Sequence, residues 1–305
     1  MNLRTTIAML CCAWAGVMSV CAQQDLQSST YAFSPLAFNP AYAGSRGTLN
    51  VHAVNRAQWL GFEGAPRTQI LSVNAPVLRR NLGVGLSMAS DRSGARSQST
   101  GLLHVAYHLP LNETLRLSMG LAGGTVSNGY DFSDLRAEDP GDAVYADQYR
   151  DRALNFGAGA YVWSEAWYVG LSMPHLVRQP LAFEDPTSPV LQRHLYLSGG
   201  YAVEKGPVLS YRFTGLFKMT SNAPATMDWT ATAWAFDLVG VGAMYRMNES
   251  IGFHAAYQLA PEVQVIYAVD LPFNRMRTGT FGSHEVALLF DLSKRRLAFE
   301  SPRYF

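Results

Sequence analysis

The sequence lacks cysteine after residue 21, has few charged residues, and contains no long apolar run beyond its first 22 residues. Its three cysteines are Cys11, Cys12 and Cys21, so the later chain can form neither a disulfide nor a cysteine-ligated metal site. Charged residues make up 15% of the chain, against roughly 25% in soluble domains. The formal net charge of +1 provides no basic surface of the kind that binds nucleic acid. No later segment offers the roughly 18 apolar residues of a membrane helix.

The first 22 residues have the pattern of a secretory signal peptide. Arg4 supplies the positive region, residues 6–20 the apolar region, and Ala22 ends a run of small residues suited to cleavage. We therefore predict a mature chain that begins near Gln23. The alternative is a lipoprotein signal with Cys21 as the lipidated residue, although Val20 is larger than the residue expected before such a cysteine.

The remaining chain alternates between apolar and polar residues with the period of two that is typical of β-strands. In residues 115–119, Leu115, Leu117 and Met119 fall on one face, whereas Arg116 and Ser118 fall on the other. Most runs have about the 9 to 11 residues that a tilted strand needs to cross a bilayer. We predict fourteen strands, at residues 48–62, 66–76, 82–91, 97–109, 114–127, 153–163, 166–173, 193–204, 207–219, 226–236, 238–246, 250–258, 262–270 and 284–292.

The connections between these strands sort by length, as in bacterial barrels with short periplasmic turns and longer outer loops. The longest, residues 128–152, 174–192 and 271–283, follow the fifth, seventh and thirteenth strands, and most even-numbered strands are followed by short turns. A periplasmic N-terminus would place the odd-numbered connections outside. The sequence predicts an all-β, transmembrane barrel of about fourteen antiparallel strands in the outer membrane of a Gram-negative bacterium.

A soluble β-sandwich is the alternative fold, because its strands also alternate. Its water-facing sides would be rich in Lys and Glu, whereas the polar face here carries Ser, Thr, Gly, His, Asn and an occasional Arg, which suits a barrel lumen. Aromatic residues near strand ends favour interfacial girdles, although core packing would also explain each one alone. These residues are Trp59, Phe62, Trp163, Trp167, Tyr168, Tyr245 and Tyr257.

No motif points to an enzyme or to a cofactor. Neither a nucleophile elbow, nor a zinc-protease motif, nor a phosphate loop occurs. His104 and His108 would share a metal ion on a helix, but on a strand they lie about 13 Å apart. Residues 128–152 are acidic without the spacing of a calcium loop, so a solvated loop is preferred to a Ca²⁺ site. We predict no catalytic residue and no cofactor, while a triad assembled in the lumen from separate strands stays open.

The stretch SPLAFNPAYAGSRG, residues 34–47, precedes the first predicted strand. Pro35 and Pro40 restrict the backbone, and Gly44 and Gly47 allow the bend into the strand. We predict that residues 23–47 form a periplasmic N-terminal segment that either caps the barrel mouth or acts as a plug or docking surface for a periplasmic partner. The docking hypothesis rests on Phe38, Asn39, Pro40, Tyr42 and Gly44.

Several short motifs occur in order along the chain, beginning with NPAYAG at residues 39–44 and ending with SPRYF at residues 301–305. Through these motifs, residues 23–305 resemble the PorP/SprF family of Bacteroidetes outer-membrane proteins. The other positions that carry the resemblance are Arg56, Gln58, Trp59, Gly61, Gly64, Pro66, His284, Glu285, Pro302, Arg303, Tyr304 and Phe305.

The resemblance implies a non-enzymatic barrel of the type IX secretion and gliding machinery. PorP-like members associate with periplasmic ring proteins and a peptidoglycan-binding lipoprotein, whereas SprF-like members engage the C-terminal signal domain of a secreted adhesin. Which branch this chain joins is open. The runner-up is a general or substrate-specific outer-membrane porin, and an outer-membrane hydrolase is the third possibility.

The last residues depart from the usual barrel pattern, in which a terminal aromatic residue ends the last strand. Either that strand runs later than residue 292 or the remaining residues form a periplasmic tail. The predicted organisation is therefore a signal peptide at 1–22, an N-terminal segment at 23–47, the barrel at 48–292 and a tail at 293–305.

Overall fold

The alternating segments form fourteen antiparallel strands that close into a barrel, each strand pairing with its sequence neighbours and β1 with β14. The structure, a computed structural model, describes residues 27–77, 81–131, 149–177, 192–206, 208–220 and 223–292. Closure gives every strand two hydrogen-bonded neighbours, although among the described strands β6 before Ala158 pairs only with β5. The predicted all-β barrel of fourteen strands is confirmed. Within the described residues, no helix is long and apolar enough to span a membrane.

The observed strands agree with the predicted ones to within a few residues, except for the first. They are β1 Leu49–Ala57, β2 Arg67–Val77, β3 Leu82–Ser93, β4 Arg96–Pro110, β5 Arg116–Tyr130, β6 Tyr149–Trp163, β7 Trp167–Met173, β8 His194–Lys205, β9 Leu209–Thr220, β10 Ala223–Ala235, β11 Val239–Arg246, β12 Ser250–Ala260, β13 Val263–Pro272 and β14 Ser283–Leu292.

The first strand was predicted to reach residue 62, and this boundary is wrong. Trp59 has a φ of 46°, which a strand does not accommodate, and Gly61 and Gly64 also have positive φ. The backbone N–H of Gln58 donates to the carbonyl of Pro66 at 2.9 Å. Residues 58–66 therefore form a closed loop between β1 and β2.

The two ends of the barrel differ in their connections. The longer connections, which join β1 to β2, β5 to β6, β7 to β8 and β13 to β14, all follow odd-numbered strands, and we call their side the loop end. Every connection after an even-numbered strand is short, and we call that side the turn end. This arrangement matches the predicted sorting. Which end faces the periplasm stays a prediction from the rule for bacterial barrels.

Outward side chains are mostly apolar, as contact with lipid requires, and large exposed ones such as Leu121, Phe253 and Val241 occur on many strands. Inward positions carry Ser, Thr, Asn, His, Gly and buried charged residues. The predicted aromatic girdle is wrong for Trp163 and Tyr168, which point inward and are 3% exposed. Their rings pack in the lumen because the period-two alternation places them on the inner face.

Residues 27–47 lie inside the barrel. They contain three short 3₁₀ turns, Tyr31–Phe33, Pro35–Ala37 and Pro40–Tyr42, and most of their side chains are buried. The Asn39 side chain accepts a hydrogen bond from the Ala41 backbone N–H at 3.0 Å and so caps the third turn. We call residues 27–47 the plug.

Candidate functional site

The plug runs through the lumen from the loop end to the turn end. At its start, the Gln27 side chain bonds Glu249 in the connection after β11 and accepts from Gln58 in the connection after β1. At its end, Arg46 forms an ion pair with Asp291 of β14 at 3.2 Å. The chain then enters β1 at the turn end.

The plug contacts every strand of the barrel. It hydrogen-bonds or forms ion pairs with side-chain or backbone groups of β1, β2, β4 to β7, β9 to β11, β13 and β14. Phe33 packs edge-on against His254 of β12, and Phe38 against Tyr196 of β8. The carbonyl of Ala43 lies against Gly83 of β3. The segment therefore contacts the wall on all sides of the lumen.

Near the loop end, buried charged residues surround the start of the plug, and we call them the charged socket. Arg56 of β1 lies 2.8 Å from Asp270 of β13 and 3.0 Å from Glu285 of β14, and all three side chains are at most 3% exposed. Arg246 of β11 bonds Asp228 of β10 at 3.1 Å. The charged socket thus comprises Arg56, Asp228, Arg246, Asp270 and Glu285.

The plug supplies several of the hydrogen bonds of the charged socket. Glu285 accepts from the Ser28 hydroxyl at 2.7 Å, from the Ser29 backbone N–H at 2.8 Å, and from the hydroxyl and backbone N–H of Thr30. The Ser29 hydroxyl donates to Asp270 and accepts from Arg56. Buried carboxylates are tolerated only when paired and hydrogen-bonded, so the plug and these strands depend on one another.

Nearer the middle and the turn end, the plug sits against glycines, which we call the glycine socket: Gly83, Gly120 and Gly159. A Cβ at Gly120 would lie 2.3 Å from the Ala41 nitrogen, and one at Gly83 would lie 1.9 Å from the Ala43 carbonyl oxygen. A Cβ at Gly159 would lie 2.1 Å from Asn39 Oδ1. The plug backbone can approach the wall this closely only because these side chains are absent.

Wall side chains satisfy the plug backbone beside the glycine socket. Ser118 donates to the Ala41 carbonyl and Ser172 to the Phe38 carbonyl, each at 2.7 Å. His108 Nε2 lies 3.0 Å from the Ala43 carbonyl oxygen, and Asn74 accepts from the Gly44 N–H at 3.0 Å. These bonds replace the water that a plug in an open lumen would need.

A polar cavity of about 510 Å³ remains between the plug and the wall at the turn end. Ala32, Phe33 and Arg46 of the plug line one side. Asp237 and Glu262, in the connections after β10 and β12, lie at its mouth together with Gln264. Arg212 of β9 lies deeper, with its guanidinium 4.3 Å from the centroid of the Trp234 ring. The cavity offers both signs of charge to a molecule approaching from the turn end.

The five residues of the docking hypothesis lie together in the plug. Phe38, Asn39 and Tyr42 are 6%, 3% and 2% exposed, and Pro40 and Gly44 are also buried. Tyr42 packs edge-on against Tyr161, and the Asn39 amide donates to the Ala160 carbonyl at 3.0 Å. Their side chains contact the barrel wall, and their role in docking a partner stays a prediction.

The motif residues carried by the family resemblance separate into groups. Arg56 and Glu285 belong to the charged socket, and Gln58 is 8% exposed and donates to Gln27 at 2.7 Å. Trp59, Gly61, Gly64 and Pro66 shape the loop after β1. His284 points outward and lies 2.6 Å from the Tyr267 hydroxyl. The positions Pro302, Arg303, Tyr304 and Phe305 lie outside the described residues.

The sequence analysis missed Asp228, Arg246 and Asp270 as site residues. Each is a charged residue at an inward position of a strand, and each is at most 2% exposed. The sequence does carry one signal for such residues, a charged residue at an inward position of a predicted strand. A buried charge needs a partner, so such a residue indicates an ion pair within the lumen.

The described residues contain no group of three or more His, Cys, Asp or Glu that could hold a metal ion. His104 and His108 bond different partners, Ser87 and the Ala43 carbonyl. Most of the acidic loop considered for Ca²⁺, residues 132–148, lies outside the described residues. Whether the chain takes a cofactor stays a prediction.

A closed fourteen-stranded barrel with an apolar outer surface and a filled polar lumen defines an outer-membrane β-barrel protein. The family model described as Type IX secretion system membrane protein PorP/SprF matches residues 20–290. The chain therefore belongs to the PorP/SprF family, and the predicted membership is confirmed.

One solved barrel is similar in fold, and two further structures match with TM-scores below 0.5. The Acinetobacter baumannii outer membrane protein Omp33 is 10% identical with a TM-score of 0.50, over 82% of this chain and 100% of that one. The Ralstonia pickettii toluene transporter TbuX is 10% identical with a TM-score of 0.49, over 85% and 93%. A Pseudomonas aeruginosa FadL homologue is 12% identical with a TM-score of 0.48, over 85% and 94%. No curated protein matches the chain significantly.

Proposed function

We propose that this protein is a non-enzymatic, closed barrel of the type IX secretion and gliding machinery that docks partners at its turn end. The partners are periplasmic machinery proteins, including a peptidoglycan-binding lipoprotein, and the C-terminal signal domain of a secreted adhesin. Family membership supports the machinery, and the predicted periplasmic orientation of the turn end supports the site of docking.

The observation that carries the proposal is the contact of the plug with all fourteen strands. A diffusion porin needs a continuous water-filled path through its lumen. Here buried residues of the plug occupy that path, and ion pairs and close backbone contacts fix them to the wall. A barrel of this kind serves better as an anchor in the membrane than as a channel.

The turn-end cavity is the place where a partner would dock. It carries charged and amide groups on short connections, where a periplasmic protein can reach them. Asp237 and Glu262 are exposed at its mouth, and neither forms an ion pair within the described part of the chain. A basic or amide-rich segment of a partner would complement them.

Purification of the tagged full-length protein in mild detergent, with identification of every co-purifying chain, tests the proposal. The variant Asp237→Asn/Glu262→Gln removes two charges at the cavity mouth and should reduce partner recovery severalfold. The matched control Glu113→Gln/Glu165→Gln removes two exposed charges from other connections at the same end and should recover the partner normally. Equal recovery from both variants would argue against docking at the cavity.

The competing functions give opposite results in simple assays. A porin would conduct ions in planar bilayers and purify without a partner, whereas we expect no steady conductance and at least one partner. An outer-membrane hydrolase would cleave lipid substrates and lose this activity when a lumen serine is replaced, and we expect no such activity from the purified protein.

A further inference from the structure

One sector of the outer surface departs from the apolar pattern. On β1 to β6, outward positions near the loop end carry amide, hydroxyl and guanidinium groups. On β10 to β13, the corresponding outward positions near the same end carry Met227, Tyr245, Ile251 and Leu271. We call the polar sector the basic patch; it comprises Asn55, Arg67, Gln69, Ser90, Arg92, Ser99, Arg150 and Arg152.

The strand register aligns these residues in two adjacent rows. The first row runs through direct cross-strand neighbours: Asn55, Gln69, Ser90, Ser99, Ser127 and Arg152. The second row, nearer the loop end, contains Arg67, Arg92, Ser97, Gly129 and Arg150. Neighbours in such rows have Cβ atoms roughly 5 Å apart on the same face of the sheet.

The arginines of the basic patch have no acidic partner among the described residues. Arg67 and Arg92 lie directly opposite each other, which is unfavourable for two like charges unless an anion lies between them. In the described strands no Asp or Glu occupies an outward position, since Asp91, Asp151, Asp228, Asp270, Glu204, Glu285 and Asp291 all have the inward parity. The basic patch therefore has positive charge that the described wall does not neutralise.

Below the arginines, the outer wall is hollowed into a groove of about 700 Å³. Leu71, Met88 and Leu288 line its apolar part, whereas Gln69, Ser99 and Arg152 line its polar part. Gly101 creates much of the space, because a Cβ there would meet nothing within 4 Å. The groove crosses β14 and β1 to β6 and covers two residue rows: a polar row next to the arginines, and a row with Leu71, Met88 and Gly101 further from the loop end.

We propose that the basic patch and this groove bind a phosphorylated membrane lipid. Its phosphate lies between the neighbouring Arg67 and Arg92, where guanidinium groups provide charge-assisted hydrogen bonds. Arg152, three strands from Arg92 in the register, adds positive charge at the other end of the groove. Its polar backbone faces Asn55 and Gln69, which have no side-chain partner in the described part of the chain, and an acyl chain occupies the groove over Gly101. A lipid fits better than a protein because the apolar part of the groove lies on the outer surface of the barrel, which faces the membrane.

Native mass spectrometry of the full chain in detergent tests the proposal, with diphosphorylated lipid A and phosphatidic acid as probes. Whichever phosphorylated probe binds the wild-type protein more tightly is used for the comparison. The variant Arg67→Gln/Arg92→Gln/Arg152→Gln should weaken its binding at least about tenfold. The control Arg193→Gln/Lys205→Gln/Arg277→Gln makes the same change in net charge at exposed sites elsewhere and should weaken it less than about twofold.

A second variant tests the groove without changing any charge. Gly101→Leu fills open space on the outer face and should weaken acylated probes severalfold while the barrel stays folded, as judged by its heat-dependent migration on gels. Four results would each overturn the proposal. Dephosphorylated lipid A could bind as well as the phosphorylated form, or the control variant could lose as much binding as the arginine variant. Gly101→Leu could bind as well as the wild-type protein, or millimolar inorganic phosphate could displace the probe as effectively as lipid does.

Discussion

Two parts of the plug, residues 28–30 and residues 39–44, are held in the barrel by different kinds of interaction. Residues 28–30 enter the charged socket, where serine and threonine groups bond carboxylates that are already paired with arginine. Residues 39–44 lie in the glycine socket, where close backbone approach and neutral hydrogen bonds dominate. The first contact depends on charge compensation between strands, and the second depends on the absence of side chains.

This difference predicts which part of the plug can leave the lumen while the barrel stays folded. A buried charge that loses its partner is costly wherever the plug goes, so the charged socket stabilises the barrel as well as the plug. The glycine socket has no such requirement, because the wall serines beside it, Ser118 and Ser172, could bond water if the plug left. We therefore expect damage to the charged socket to unfold the barrel and damage to the glycine socket to displace the plug.

The largest expected effect is that of Arg56→Met. The change leaves Asp270 and Glu285 without their nearest cation in a buried site, and losses of about 3 to 5 kcal/mol are typical of such changes. The free energy of unfolding, measured by urea titration in detergent micelles, should fall by that amount. Arg277→Met, at an exposed loop residue, is the control, and an equally small loss in both variants would show that the charged socket does not stabilise the barrel.

The next effect is that of Gly120→Val, which places side-chain atoms where Ala41 lies. Overpacking of this kind costs about 1 to 3 kcal/mol, and moving residues 39–44 out of the lumen relieves it. We expect a folded barrel whose plug is cut by protease and which now conducts ions in planar bilayers. Gly101→Val, on the outer face with open space around it, should leave the plug protected from protease and the lumen closed, as in the wild-type protein. If Gly120→Val unfolds the barrel instead, the glycine socket is as essential as the charged one.

The smallest effects compare one serine that bonds the charged socket with one beside the glycine socket. Ser28→Ala removes a hydroxyl that donates to the Glu285 carboxylate, and a bond to a charged group contributes about 1.5 to 3 kcal/mol. Ser118→Ala removes one that donates to the Ala41 carbonyl, worth about 0.5 to 1.5 kcal/mol. Urea titrations of both variants should rank them in that order. The reverse ranking would mean that neutral bonds to the plug backbone matter more than the charged ones.

The strands were predictable from sequence because alternation along one strand reports directly on its two faces. The parity of the connections was predictable as well, since the longer ones lie after odd-numbered strands. The end of β1 was not predictable, because the positive φ of Trp59 follows from the loop closing on Pro66. The alternation of residues 55–62 gave no sign of that turn.

The charged socket could not be assembled from sequence alone. Arg56, Asp270 and Glu285 are distant along the chain, and they meet only because β1 pairs with β14 and β14 with β13 in the observed register. Arg56 and Glu285 were marked by the family resemblance, whereas Asp270 was only a polar residue in an alternating strand. The position of the plug inside the lumen depends equally on barrel closure, which no local pattern encodes.

Cysteine labelling of the plug tests the central claim that it fills the lumen. The chain has no cysteine after residue 21, so Ala41→Cys introduces the one thiol beyond that residue, at a position that is fully buried against Gly120. A membrane-impermeant maleimide should fail to label it in the folded barrel, while it labels Phe281→Cys, at a residue 80% exposed, readily. Labelling of both positions at the same rate would contradict a plugged lumen.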